Sequence, residues 1–201
     1  MRLALFDYGA GNLSSVRKGF AAIGVETVTP GSPAGLDAYD GIVIPGVGHF
    51  QATASLDDSW REAILERVTA GVPLLGICLG MQMMFEGSDE APGIPGLGLF
   101  AGRCERIQAS RPLKVPHVGW NSISVPATSA ILTGIESGTY VYFTHSYAAP
   151  VTSDMAAVTT HGRSFAALVE RSNVAGVQFH PEKSGDAGLR ILRNFAGMAG
   201  L

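Results

Sequence analysis

The stretch "VPLLGICLGMQMMFE", Val72 to Glu86, decides how this chain folds. Its first half, "VPLLGIC", has no charged or amide side chain, so it reads as a strand buried on both faces. Leu79 to Glu86 then reads as a helix that starts with no intervening loop. A buried strand running straight into a helix is the building unit of a parallel sheet covered by helices on both sides. The same stretch has a second feature. Gly76 and Gly80 flank Cys78, two positions away on either side. Residues without side chains let a turn tighten and let neighbouring backbone come close.

Upstream, the same alternation repeats. "LALFD" is a short apolar run closed by the turn "YGAGN", and Asn12 is placed to cap a helix carrying Leu13, Val16, Phe20 and Ile23 at helical spacing, ended by Gly24. "VETV" and "GIVIPG" read as further strands. Trp60, Ile64, Leu65 and Val68 form the apolar stripe of another helix, ended by Gly71. Downstream the character changes. Segments at 98–107, 139–145, 155–160, 165–170 and 174–179 follow one another as strands, with no helix until Leu189, Leu192, Phe195 and Ala199 mark a last one. Strands in succession imply antiparallel additions to the same sheet. The expectation is one α/β domain over residues 1–201, with a central, mostly parallel sheet flanked by helices and antiparallel additions in the second half. The segment from Val125 to Thr139 carries no usable motif.

Bulk properties narrow the function. Lysine and arginine number 14 against 17 acids in 201 residues, with no run of like charge. That excludes a nucleic-acid or membrane-surface binder working through charge. Asp7 falls too early for a signal-peptide apolar region, and the longest apolar stretch is interrupted by Gln82. A cytoplasmic protein with two reduced thiols, Cys78 and Cys104, is expected.

Gly76-Ile77-Cys78-Leu79-Gly80 has the G-x-nucleophile-x-G form of a strand-to-helix elbow, which lifts the nucleophile out of the carboxyl end of a sheet. The helix that follows would offer free N–H groups and the positive end of its dipole, which favour a thiolate. A buried structural cysteine in a β–α turn is the competing reading of the bare motif. A nucleophile needs a base, and "GVQFHPEKSG" offers one. His180 and Glu182 lie two residues apart, and in extended chain they would face the same side, with Pro181 stiffening the geometry. A surface histidine beside a solvated glutamate is the plain alternative. Together the three make a nucleophile–base–orienter set. Oxyanion donors are expected from the Leu79 amide and from Gly46, Val47 or Gly48 in "PGVGHF", a segment that taken alone reads as a plain strand-exit turn.

Two other patterns lead nowhere. Gly9-Ala10-Gly11-Asn12-Leu13-Ser14 imitates a dinucleotide-binding loop but ends in serine, with only Glu26 as the acid beyond. His49, His117, His145 and His161 lack metal-ligand spacing, so neither a metal nor a cofactor is expected. Cys104 has no elbow and no partner and reads as structural.

With these residues in view, the chain resembles the class I, triad-type glutamine amidotransferases, and within them the glutaminase subunits of imidazole glycerol phosphate synthases. The resemblance rests on "DYGAGNLSSV", "PGVGHF", "GICLGMQMMFE", "PHVGWN", "YFTHSY" and "GVQFHPEKSG", in the family's order along essentially the whole chain. It implies a class I glutaminase fold with no fused synthase domain, and a Cys78–His180–Glu182 triad that releases ammonia from glutamine. Gly48, Gln82, Ser146 and Tyr147 fall at the family's glutamine-holding positions. Asn12, Tyr142 and Lys183 fall at positions facing its partner, a (β/α)8-barrel cyclase that forms a heterodimer with the glutaminase and receives the ammonia through an internal passage. Family members hydrolyse glutamine poorly until the cyclase holds its ligand, which requires a contact that differs between resting and active states. A peptide rearrangement in Pro45–Gly48 that completes the oxyanion hole is the expected device. A glutaminase serving another synthase, a γ-glutamyl hydrolase or cysteine peptidase, and a non-enzymatic interaction protein remain the alternatives.

Overall fold

The computed structural model describes residues 1–9, 11–108 and 113–201; Ala10 of the "DYGAGN" turn lies outside them. The first half alternates as expected: β1 (Arg2–Leu5), α1 (Leu13–Ala21), β2 (Glu26–Val28), β3 (Gly41–Ile44), α2 (Asp58–Thr69), β4 (Leu74–Ile77) and α3 (Leu79–Met83). Then come β5 (Gly87–Ser88), β6 (Arg103–Arg106), β7 (His117–Ser122), β8 (Tyr140–His145), β9 (Tyr147–Ala148), β10 (Met155–His161), β11 (Arg163–Arg171), β12 (Val174–Val177) and α4 (Gly185–Met198). The caps follow the sequence. The Asn12 side chain accepts from Ser15 N at the start of α1, and Asp57 accepts from Trp60 N at the start of α2.

A seven-stranded sheet in the order β10-β11-β12-β4-β3-β1-β2 forms the centre. The run from β12 to β2 is parallel, and β11 and β10 add to it antiparallel. Alternate residues of each central strand enter opposite cores. Leu3, Leu5, Val43, Leu75, Ile77, Ala175 and Val177 pack with α1 and α4 through Phe20, Ile191, Leu192 and Phe195. Ala4, Ile42, Ile44, Leu74 and Val174 pack on the other side with Ile64 and Val68 of α2. This two-sided burial is why the strand segments carry no polar alternation.

Not every late strand joins this sheet. The strand within 98–107 is β6, which pairs with β5 and β9, and Tyr140–His145 pairs antiparallel with β7 in a separate ribbon. Of the ribbon's two strands only β7 escaped a strand reading, because its outer residues are apolar yet exposed, with Val118 at 58% and Trp120 at 55%. The helix expected over Leu79–Glu86 stops at Met83. Its next carbonyls are taken from outside: Met83 O accepts from Leu97 N (2.7 Å), Met84 O from Leu99 N (2.8 Å) and Phe85 O from Gly98 N (3.1 Å). No described helix is long and apolar enough to cross a membrane.

Candidate active site

Chain order places β2 and β3 on opposite sides of β1, with β4 and β12 following beyond β3. Ligands of such sheets bind outside the carboxyl ends of the strands. There β3 delivers Pro45–Gly48, β4 delivers Cys78, and β12 leads through Gln178 and Phe179 to His180.

A Cβ on Gly76 would stand 2.7 Å from the Gly80 carbonyl carbon and Met81 N, and one on Gly80 would run into the Ile44 carbonyl of β3. Both glycines are needed for α3 to lie against the sheet immediately after the turn. Between them Cys78 is held at φ 52°, ψ −103°, a conformation that costs an L-residue about 1–3 kcal/mol and persists only when its surroundings impose it. Cys78 N donates to Val177 O (2.7 Å) and Gln82 N donates to Cys78 O (3.0 Å), fixing the peptide on both sides.

His180 Nδ1 lies 2.8 Å from Glu182 Oε1, and the two side chains are 1% and 2% exposed. They meet as expected but by another route. Pro181–Lys183 is a turn of 3-10 helix, not extended chain, so the carboxylate curls back to the ring. Ser184, unmarked in the sequence, secures this corner. Its Oγ donates to His180 O (2.7 Å) and accepts from Tyr142 N (3.0 Å), while His180 N donates to Tyr142 O (2.8 Å). The ring's other nitrogen, Nε2, is buried without an oxygen or nitrogen partner and stands beside the Cys78 thiol.

Burial opposes charge on the His180 ring. Cys78, then Glu182, outweigh it and hold the pKa up at about 10. Because folding raises this pKa, the protonated ring stabilises the native state. That contribution is complete below the ordinary histidine value and is lost as pH rises through about 10. Cys78→Ala removes the larger of the two raising causes. The expected result is a His180 ring-proton titration that moves down toward the ordinary range in that variant by NMR; an unmoved titration refutes the pairing.

Gly48, Cys78, Leu79, Gln82, Glu90, Pro116, Thr144, His145, Ser146 and Tyr147 line a cleft of ≈ 190 Å³. All four residues expected to hold glutamine are therefore in one place. Gln82 spends both amide hydrogens on the protein, donating to Tyr147 O (2.8 Å) and Gln178 Oε1 (3.2 Å), so its Oε1 is what it can offer a ligand. Glu90 was not singled out, because no spacing rule marks it. It is the one carboxylate in the lining, and its Oε2 accepts from Phe50 N at 2.7 Å.

The oxyanion donors are arranged differently from expectation. Leu79 N donates to Gly46 O at 3.3 Å, so a carbonyl already takes up the amide expected as a donor, and Gly46 presents oxygen where an N–H was expected. Gly46 has no room for a side chain; a Cβ there would collide with Tyr8 Oη and stand 2.8 Å from Leu79 Cβ. Tyr8 in turn donates to Pro45 O (2.5 Å), and its burial raises its own pKa. The dinucleotide-like turn has a packing role here, since a Cβ on Gly11 would stand 3.1 Å from Gly46 Cα.

Of the residues expected on the partner side, Lys183 lies over the Tyr142 ring at 5.6 Å and Asn12 is exposed at the head of α1. Cys104 is fully buried, and burial raises its pKa; both cysteines are free.

The chain belongs to the class-I glutamine amidotransferase family, whose model matches residues 4–198. Its fold is that of solved members: a crystal structure of glutamine amidotransferase aligns over 99% of both chains with a TM-score of 0.77 at 19% identity. PurLQS from Thermotoga maritima aligns over 98% of this chain and 97% of its own, with a TM-score of 0.76 at 17% identity. Within the family the chain falls with the HisH subunits of imidazole glycerol phosphate synthase. That of Gloeobacter violaceus is 46% identical over 98% of this chain and 89% of its own length. That of Methanothermobacter thermautotrophicus is 43% identical over 96% of each.

Proposed function

We propose that the whole chain, residues 1–201, acts as one cytoplasmic glutaminase domain, the ammonia-producing subunit of imidazole glycerol phosphate synthase. The observation that carries this reading is the buried His180–Glu182 pair at 2.8 Å beside a nucleophile elbow, opening on a cleft the size of a small amino acid. The relatives from Gloeobacter violaceus, Methanothermobacter thermautotrophicus, Deinococcus radiodurans and Thermococcus kodakarensis, at 41% to 46% identity, are HisH subunits, which favours this synthase over others. Cys78 thiolate attacks the side-chain carbonyl carbon of glutamine, and the His180 imidazolium protonates the departing nitrogen as ammonia. The neutral ring then takes a proton from water, the hydroxide attacks the thioester, and Cys78 leaves as thiolate with glutamate. Glu182 holds Nδ1 throughout. Glu90 and Gln82 Oε1, both acceptors, suit the α-ammonium of the substrate, while Gly48, Ser146 and Tyr147 supply donors on the cleft rim for its carboxylate.

The resting conformation predicts low basal activity. Rotating the Gly46–Val47 peptide by about half a turn replaces the Gly46 carbonyl with the Val47 N–H and frees Leu79 N, completing a two-donor oxyanion hole. One donor is typically worth about 2.7–4 kcal/mol in the transition state. The (β/α)8-barrel cyclase, docked as the other half of a heterodimer, holds the rotated form and takes up the ammonia. Its docking surface is the exposed ribbon stripe of Val118, Trp120 and Tyr140, continued by Tyr142 under Lys183 and by Asn12. Glutamate release is expected to be slow alone and to rise sharply with the cyclase and its ribonucleotide ligand; fast release alone or indifference to the cyclase would sink the assignment. Trp120→Ala is expected to weaken cyclase binding about 30-fold or more, as loss of a central aromatic anchor does, and titration calorimetry checks it.

A further inference from the structure

From the cleft wall at His145 a hydrogen-bonded row that the proposed reaction does not use runs back into the protein. His145 Nδ1 is 2.8 Å from Tyr147 O, the same carbonyl that accepts from Gln82 Nε2. A carbonyl oxygen only accepts, so His145 Nδ1 carries the hydrogen and, in a neutral ring, Nε2 is the acceptor. His117 Nδ1 stands 3.0 Å from that Nε2 and therefore donates to it. His117 Nε2 is left to accept from Asn121 Nδ2 at 3.3 Å, and Asn121 Nδ2 also donates to Thr160 O at 3.0 Å. One assignment of hydrogens satisfies the whole row, with both rings neutral. Burial drives the His145 pKa down to about 3 and the His117 pKa down to about 4, which keeps that assignment in force at neutral pH. The His117 ring also stacks on Phe143 (4.7 Å) and on His161 (4.1 Å). Among the described residues no group of three or more His, Cys, Asp or Glu is placed to hold a metal ion.

We propose that His145, fixed by His117 and Asn121, is a positioning residue for glutamine: it holds the Tyr147 carbonyl and so sets the Gln82 side chain that faces the substrate. The inference rests on the reading of the cleft as the glutamine site. It also gives the ribbon a second role. Along β7, His117 and Asn121 enter the row, while Val118 and Trp120 between them face outward. One strand therefore carries both the docking surface and the support of the cleft wall.

The test is glutaminase kinetics of the complex with the cyclase and its ligand. His145→Phe keeps an aromatic ring and removes both nitrogens. It is expected to raise KM for glutamine about tenfold while kcat stays within about twofold, the scale of one lost buried hydrogen bond. In His145→Asn the amide nitrogen stands near the lost Nδ1, and KM is expected to return to within about threefold of the native value, where a tenfold difference is 1.4 kcal/mol. An unchanged KM in His145→Phe, an equal rise in His145→Asn, or a loss confined to kcat overturns the proposal. Ring-nitrogen NMR of the native protein decides independently of any folding defect. The Nδ1–H neutral form of His145 at pH 7 supports the proposal, and an Nε2–H form or an imidazolium overturns it. Glutamate release surviving in Cys78→Ala would remove the glutamine-site reading and this inference together. A dead Cys78→Ala with KM unmoved in His145→Phe would remove the inference alone.

Discussion

Cys78→Ala abolishes glutamate release, by about 10⁴-fold or more, because the thiol acts as one unit with His180 and its loss leaves only binding and the oxyanion donors. The assay is glutamate formation by the complex with liganded cyclase, where the native rate is highest; a residual rate within 100-fold of native would remove Cys78 from the chemistry. The stability of the same position carries a second, independent signature. At φ 52°, ψ −103° every L-residue is strained, and glycine is not. Relief of about 1–3 kcal/mol exceeds the entropy of about 0.5–1 kcal/mol that glycine loses on folding. Cys78→Gly is therefore expected to be more stable than Cys78→Ala by about 1 kcal/mol in denaturant melts, the reverse of the usual alanine-over-glycine order. A more stable alanine variant would mean that the elbow is not strained in solution.

Gly80→Ala is expected to be among the most damaging single methyl additions to the molecule. The new Cβ is aimed at the Ile44 carbonyl, a main-chain atom in the middle of the sheet, with Ile44 Cγ2 at 3.2 Å. A flexible side chain could swing aside, but β3 cannot without breaking its pairing to β4. The cost is expected at or above the upper end of overpacking penalties, about 3 kcal/mol. Any relaxation that accommodates the methyl moves α3 away from β3, and with it the Leu79 amide and the Cys78 thiol. Denaturant melts should show the loss of stability, and activity at a temperature where the variant remains folded should fall as well. A variant of native stability would mean that α3 does not pack this closely. Gly24→Ala offers the contrast: nothing lies within 4 Å of its Cβ, and its φ of +79° carries the whole penalty.

Much of the site was legible because its chemistry is concentrated in short segments. The elbow glycines, the His180–Glu182 spacing and the apolar strands each report a constraint that acts within a few residues of chain. Glu90 and Ser184 escaped notice for the opposite reason. Glu90 matters because β5 and its flanking turn bring it into a cleft lined mainly by Cys78, the start of α3 and the segment Thr144–Tyr147. Ser184 matters because Tyr142, forty-two residues earlier, needs an acceptor for its N–H. The route of the His180–Glu182 contact was also beyond local reading, since the same two residues meet in an extended chain or in a turn. Their separation in sequence is compatible with both, and the backbone of Tyr142 selects the turn.

By itself the sequence determined the strand–helix alternation, the parallel core and the elbow at Cys78, because continuous apolar runs and glycine placement are local statements about burial and backbone freedom. Only the tertiary structure decided that Leu79 N is occupied by the Gly46 carbonyl, that the second-half strands divide among separate sheets, and that His117 joins His145 at the cleft wall. Each of these depends on which segments become neighbours across the fold, where a hydrogen-bond partner is chosen by proximity in space and leaves no periodic trace along the chain.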